Sequence, residues 1–314
     1  MAVVTQAQIA AEAGVSRSTV SVVLAGRYAA VGIATATVER VQAAAARLGY
    51  QRASLPAERS PVLCVLLADP ADELNARCLA AAMKVAEGTG HGVQVMICGS
   101  RGRELRAAAE AILELRPAGV LAWDLSATRQ AELADLLAAG RVPLAAAQPH
   151  HGGPPLGPAL DHLFERGHRR VALLACPRDP AFESSFTETL AAKGQPADAI
   201  VTPEATTGSV REALRELLRG RKTRPTALVC TSDLAAMLAI RQARRLGTRV
   251  PKDLSVVGWG DLALGAAADP PLTTVAPPVE ELTARAVARL LGGPAGGPGR
   301  PQLVLRRSTA EATE

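Results

Sequence analysis

The chain holds 314 residues, 48% of them hydrophobic and 21% charged, with a net charge of +5. That length exceeds what one hydrophobic core usually serves, and the apolar fraction excludes a disordered chain. No apolar run approaches the ~18 residues of a membrane span, and the first residues lack the basic-then-apolar order of a signal peptide, so a globular, cytoplasmic protein without membrane contact is expected.

Within residues 1–60 six Arg stand against three Glu, a net +3 that suits a polyanionic partner. Thr5 with Gln8 three residues later forms a capping-box pattern, so a helix is expected from about Gln6, with Ile9, Ala10 and Ala13 facing inward. Gly14 then permits a positive φ, Val15 returns to the core, and Ser16 is placed to cap a second helix. Three short helical segments across 5–50 make a compact unit with helix-turn-helix character. A generic three-helix bundle, in which Ser and Arg only cap and solubilise, remains open at this point.

In the second helix Val20, Val23 and Leu24 fall inward, which leaves Arg17, Ser18, Ser21 and Val22 facing outward. Arg17 suits the two major-groove acceptors of guanine. The hydroxyls of Thr5, Ser16, Thr19 and Ser21 suit phosphates, which fix register without reading sequence, and Thr19 also has a packing role open to it. Arg27 completes the basic set in the loop that follows. Residues 51–61 turn polar and include Pro56 and Pro61, which marks a linker or hinge between a helical domain at 1–50 and a larger domain at 62–314.

From residue 62 short apolar runs alternate with helical patterns. Runs at 62–68, 93–98, 119–123, 142–147, 171–176, 227–231 and 255–259 read as buried strands, and the alternation implies parallel sheets covered by helices on both faces. The Gly/Pro-rich stretch at 149–158 divides the first four units from the rest, giving two lobes. Cys64, Cys78, Cys98, Cys176 and Cys230 show no C-x-x-C spacing and read as buried thiols. His150 and His151 are adjacent without evident partners, a solvated loop rather than a metal site, and His168 reads as structural.

The strings Ile9-Ala10-Ala11-Glu12-Ala13-Gly14-Val15-Ser16, Thr19-Val20-Ser21 with Leu24, Thr37-Val38-Glu39-Arg40-Val41 and Leu48-Gly49-Tyr50 closely resemble the lac repressor/galactose repressor (LacI/GalR) family. So do Gly167-His168-Arg169-Arg170-Val171-Ala172, Val250-Pro251-Lys252-Asp253-Leu254-Ser255-Val256-Val257-Gly258 and Pro270-Pro271-Leu272-Thr273-Thr274-Val275. The resemblance implies an α/β protein in which an all-α helix-turn-helix domain precedes a periplasmic-binding-protein-like, two-lobed parallel α/β core. It further implies an N-lobe at about 62–150 plus 277–292 and a C-lobe at about 159–276 plus 300–310. A homodimer on a double-stranded DNA operator, coupling a small-molecule effector bound between its lobes to the DNA-binding heads, is the implied function; no cofactor or metal is expected.

Departures are specific. Val22 and Ala25 stand where the family usually has polar residues, so Val22 is expected to touch a thymine methyl rather than donate to a base. The family's linker folds as a hinge helix that wedges a Leu into the minor groove. Here Leu55 is the candidate wedge, with a short Ser54-capped helix and an extended tether both open.

In open α/β sheets ligands sit beyond the C-terminal strand ends. Those positions offer Asp69, Trp123, Gln148, Ser232, Trp259 and Asp261, with Asp233 read as a helix cap and Asp69 also suiting a turn. Trp259 suits stacking on a heterocycle or core packing equally. Gly260 stands where sugar-binding relatives carry an acidic residue, Pro180 and Pro154 where they carry Arg and Asp, and Asp72-Glu73-Leu74-Asn75 replaces their aromatic motif. A polyol needs fixed partners to replace lost water, so a non-sugar ligand, or none, is expected. An enzyme on the same fold lacks support, since no phosphate loop, nucleotide glycine fingerprint or convincing Ser/His/Asp arrangement is present. A solute receptor would have no use for residues 5–50. A regulator answering to a partner, or to no ligand, stays as the alternative.

Overall fold

The computed structural model describes residues 5–24, 28–48, 59–69, 73–99, 101–149, 156–176, 180–195, 199–204, 206–220, 224–293, 297 and 299–312. The chain divides into two units, Met1–Arg59 and Ser60–Glu314.

The first unit carries α1 (Gln6–Ala13), α2 (Arg17–Leu24), the single turn α3 (Tyr28–Val31) and α4 (Thr35–Arg47). Its core is small and aliphatic: Ile9, Ala10 and Ala13 from α1 meet Val20 and Val23 from α2 and Val38, Val41, Ala44 and Ala45 from α4. The 3.6-residue spacing of these positions is what makes each helix one-sided. The expected three segments become four, because residues 28–31 close one further turn.

The second unit begins with β1 (Ser60–Leu67), so Ser60 and Pro61, expected in the linker, already belong to a strand. There follow α5 (Glu73–Gly88), β2 (Gly92–Ile97), α6 (Gly102–Leu115), β3 (Pro117–Trp123), α7 (Ala127–Ala138) and β4 (Leu144–Ala147). These strands form a four-stranded parallel sheet in the order β2-β1-β3-β4. The chain then builds α8 (Gly157–Glu165), β5 (Val171–Leu174), α9 (Pro180–Ala192), β6 (Ile200–Val201), α10 (Thr207–Leu217), β7 (Ala227–Cys230), α11 (Asp233–Arg245), β8 (Ser255–Trp259), α12 (Ala263–Ala266) and β9 (Thr273–Ala276). It returns to the first lobe for α13 (Val279–Leu291), which packs on α5, β3 and β4, and ends in the second with β10 (Gln302–Val304). The six-stranded sheet runs β10-β9-β8-β7-β5-β6, parallel except for the antiparallel β10.

Strand parity sorts the cores. Along β1, Leu63, Val65 and Leu67 join the cluster under α5 and α13, while Cys64 and Leu66 join the one under α6 and α7. In the second lobe Val229, Val257 and Trp259 face the α8/α9 side, and Leu228, Cys230 and Val256 face the α10/α11 side. Each fully buried aliphatic side chain of this kind is worth about 1.5–3 kcal/mol. Burial also pushes the Cys64 and Cys78 thiols up to about 12 and raises those of Cys98, Cys176 and Cys230, so all five are poor nucleophiles.

Strands β6, β9 and β10 were not expected from the sequence. Thr273 and Thr274 look like surface letters, but both are wholly buried and hydrogen-bonded at long range, Thr273 Oγ1 accepting from the Arg306 amide at 3.0 Å. The last residues are tied to this sheet in the same way: Ser308 Oγ donates to the Val256 carbonyl at 2.6 Å and accepts from the Thr273 amide at 2.8 Å.

His168 is structural, as expected. Its ring lies between the Thr226 hydroxyl (2.9 Å) and the Ala310 carbonyl (3.1 Å). The carbonyl only accepts, so Nε2 carries the proton in the neutral ring and Nδ1 accepts from Thr226. Burial lowers the pKa of His168, and of His162 beside Thr309, below the usual 6.5. A folded pKa below the unfolded value means that stability is complete above pH 6.5 and declines as pH falls through that value. Urea midpoints should therefore drop between pH 7.5 and 5.5, less so in His168→Gln; equal midpoints at the two pH values would contradict the neutral, buried histidines.

Candidate nucleic-acid interface and ligand cleft

The first unit presents one short helix as its chemically distinct surface. Thr5 accepts from the Gln8 amide (3.4 Å) and its own amide donates to Gln8 Oε1 (2.8 Å), which starts α1 as a capping box. Gly14 ends it at φ +66°, with its amide on the Ala10 carbonyl. A Cβ at Gly14 would meet nothing within 4 Å, so its conformation rather than space selects glycine. Ser16 then caps α2, its Oγ accepting from the Thr19 amide at 3.0 Å and sharing hydrogen bonds with Ser18 Oγ (2.6 Å) and Thr19 Oγ1 (2.8 Å).

Three hydroxyls thus cluster at the start of α2, where unpaired helix amides favour an anion. Arg17 and Ser18 are exposed, and Ser21 and Val22 are half-buried beside them. The inward Val20 and Val23 hold this face outward. Arg27 and Leu55, and the 51–58 stretch that would decide between hinge helix and tether, lie outside the described residues, as do His150, His151 and Pro154.

In the second unit the parallel strands of each sheet end on one edge, and the candidates follow those ends. The Asp69 carbonyl accepts from Asn75 Nδ2 of α5 at 2.5 Å. Gln148 Nε2 donates to the Leu125 carbonyl at 2.5 Å. Ser232, not Asp233, caps α11, accepting from the Ala235 amide at 3.1 Å and donating to the Cys176 carbonyl at 3.4 Å. Asp261, at φ +53°, pairs with Arg306 at 2.7 Å, and Arg306 also donates to the Leu272 carbonyl.

Trp123 differs from expectation, and Trp259 takes the second of its two expected roles. Trp123 is wholly buried with Leu121 in the first-lobe core rather than placed at a cleft mouth, because it shares the parity of Leu121 on a strand covered on both faces. Trp259 is 6% exposed, its ring edge-to-face with Phe182 of α9 at 5.0 Å. Core packing is therefore the role that the structure gives both rings. Neither indole Nε1 has a hydrogen-bond partner among the described residues.

Asp233 is the residue whose importance sequence reasoning missed. It has no exposure, and its carboxylate accepts from the Leu262 amide (2.7 Å) and the Thr274 hydroxyl (2.5 Å). Burial raises its pKa above the usual carboxylate range, while the Thr274 and Leu262 donors oppose the rise. A Cβ on Gly258 would overlap Asp233 Oδ1 and approach Leu272 Cδ2 to 2.8 Å, so glycine makes room for the carboxylate. No local signal marked it, because Gly258, Leu262 and Thr274 lie 25–41 residues away in sequence.

Residues 6–53 match the family described as bacterial regulatory proteins, lacI family, and residues 160–312 match a periplasmic binding protein-like domain. The chain is 33% identical to the HTH-type transcriptional regulator MalR of Streptomyces coelicolor over 98% of its own length and 96% of that protein. It is 32% identical to CelR of Thermobifida fusca, covering 90% and 89% of the two chains. Among solved structures it is similar to the lac repressor dimer bound to operator and the anti-inducer ONPF, with a TM-score of 0.70 and 25% identity over 98% of this chain and 99% of that one. A CelR–cellobiose complex gives a TM-score of 0.67 and 27% identity over 97% and 99%.

Two substitutions check the local accounts. Ser16→Ala should destabilise the first unit by about 1 kcal/mol through loss of the cap. Gly258→Ala should destabilise the second by about 1–3 kcal/mol through overpacking against Asp233. Chemical denaturation reads both; a Gly258→Ala protein as stable as the parent would refute the steric role given to this glycine.

Proposed function

The chain belongs to the lacI family of bacterial regulatory proteins, a DNA-binding class of transcriptional regulators, and from that premise we propose that α2 lies in the major groove with Arg17 reading a guanine. Ser16, Ser18, Thr19, Ser21 and Thr5 serve phosphates and register, Val22 meets a thymine methyl, and Arg27 and Leu55 supply further backbone and minor-groove contacts. The observation that carries this reading is the exposed Arg17 and hydroxyl cluster at the start of a helix held by a small aliphatic core. The homology to a lac repressor dimer bound to operator supports a homodimer on a two-fold operator.

The effector is assigned to the space between strand ends bearing Asp69, Gln148, Ser232 and Asp261. It is a small molecule other than a simple sugar: Gly260 offers no carboxylate, Asp261 is taken up by Arg306, and Phe182 of α9 packs on Trp259. A second reading, a sugar effector, is favoured by the relative solved with cellobiose. Control by a protein partner, or by none, is the remaining alternative.

On a duplex selected from a random pool, Arg17→Ala should weaken specific binding by about 1–3 kcal/mol while sparing non-specific binding. Equal losses on specific and random duplexes would remove Arg17 from base reading. In isothermal titration against mono- and disaccharides the expected result is no binding; micromolar affinity for any of them would establish the sugar reading instead.

A further inference from the structure

One side of α5 joins the two lobes through three contacts, two of them to the 260–263 segment that follows β8. Arg77 is held within its own lobe by Glu280 of α13, with Nε on Oε1 and Nη2 on Oε2, both at 2.9 Å. Its remaining edge, Nη1, donates to the Gly260 carbonyl of the other lobe at 3.1 Å. One turn earlier, Glu73 Oε1 accepts from the Ala263 amide, again across the lobes, at 3.1 Å. Leu74, between them, packs against the hydrophobic cores of both lobes.

The geometry is that of a preset clamp. A bidentate carboxylate fixes the guanidinium plane, so the third hydrogen bond costs little additional ordering. The Arg77 side chain is only 27% exposed, which spares the pair much of the screening that makes surface bridges weak. Glu280, through this hydrogen bond, raises the pKa of Arg77, and its own is held below the usual carboxylate range, so both partners stay charged. The acceptor side is equally fixed: the Gly260 amide donates to the Val275 carbonyl at 2.8 Å, and Leu262 is tied to Asp233.

We propose that Arg77, Glu280 and Glu73 form an intrachain clasp that holds the two lobes in one register, so that the lobe arrangement is set by these side chains of the protein itself. The inference rests on reading residues 60–314 as a two-lobed regulatory body. It assigns regulatory weight to residues that lie on a helix flank.

The test is an inter-lobe distance. The five native cysteines are buried, so spin labels go to cysteines introduced at exposed Glu110 of α6 and Arg211 of α10 in the full chain, diluted with unlabelled protein so that only distances within one chain are read. Electron–electron double resonance should give one narrow distance in the parent without ligand. Arg77→Met combined with Glu73→Ala should broaden the distribution and shift it to longer distances. Should that double variant fail to fold, Glu280→Gln, a near-isosteric change at a half-exposed site, should broaden the distribution in the same sense. A distribution unchanged in whichever variant folds would overturn the clasp. Binding of the same proteins to a selected duplex is scored separately: loss of DNA binding with an intact narrow distance in the parent would count against the regulator reading and leave the clasp standing.

Discussion

A carboxylate with no access to water organises the part of this protein on which ligand control would depend. Burying the charge of Asp233 is costly unless donors replace the lost water, and two do: the amide of Leu262 and the hydroxyl of Thr274. The requirement propagates outward. Gly258 must lack a side chain to admit the carboxylate, Thr274 must be polar in the middle of a sheet, and the 260–262 segment must turn back toward α11. That turn presents the Gly260 carbonyl and the Ala263 amide to α5, and sets Asp261 against Arg306. Removing the carboxylate would leave the Leu262 amide and the Thr274 hydroxyl without their acceptor and loosen the loop.

The cleft edge that results is occupied by intramolecular contacts. Asp261 pairs with Arg306, Gln148 with the Leu125 carbonyl, Ser232 with the start of α11, and Trp259 with Phe182. A ligand entering here must compete for groups that already have partners. That sets a higher threshold than a cleft of free polar groups would. The first unit is built on the opposite plan, since the Ser16, Ser18 and Thr19 hydroxyls at the start of α2 bond one another and can turn toward phosphates without breaking the core.

What could be read from the sequence follows the range of the interactions. Thr5 with Gln8, Gly14, and Ser16 with Thr19 act over three or four residues, so the helix-turn-helix and its caps were legible in order. Seven of the strands were legible because both faces of a covered parallel sheet are apolar. Strand β9 was not, because Thr273 and Thr274 are satisfied by Arg306 and Asp233, which lie 33 and 41 residues away in sequence. Trp123 was misjudged for a related reason: its position at a strand end suggested a cleft, while its parity with Leu121 already put it in the core. Ser232 and Asp233 exchanged roles because either residue type caps a helix, and only the fold decides which of two neighbours is buried.

The proposed function requires α2 to read the groove and to be presented twice by a paired body. Selection of duplexes from a fully random library by the full-length protein, followed by sequencing of the enriched pool, tests this most directly. It predicts convergence on one motif with two half-sites related by a two-fold axis. A pool that stays random through successive rounds at low salt, or a single asymmetric half-site bound by a monomer, would contradict it.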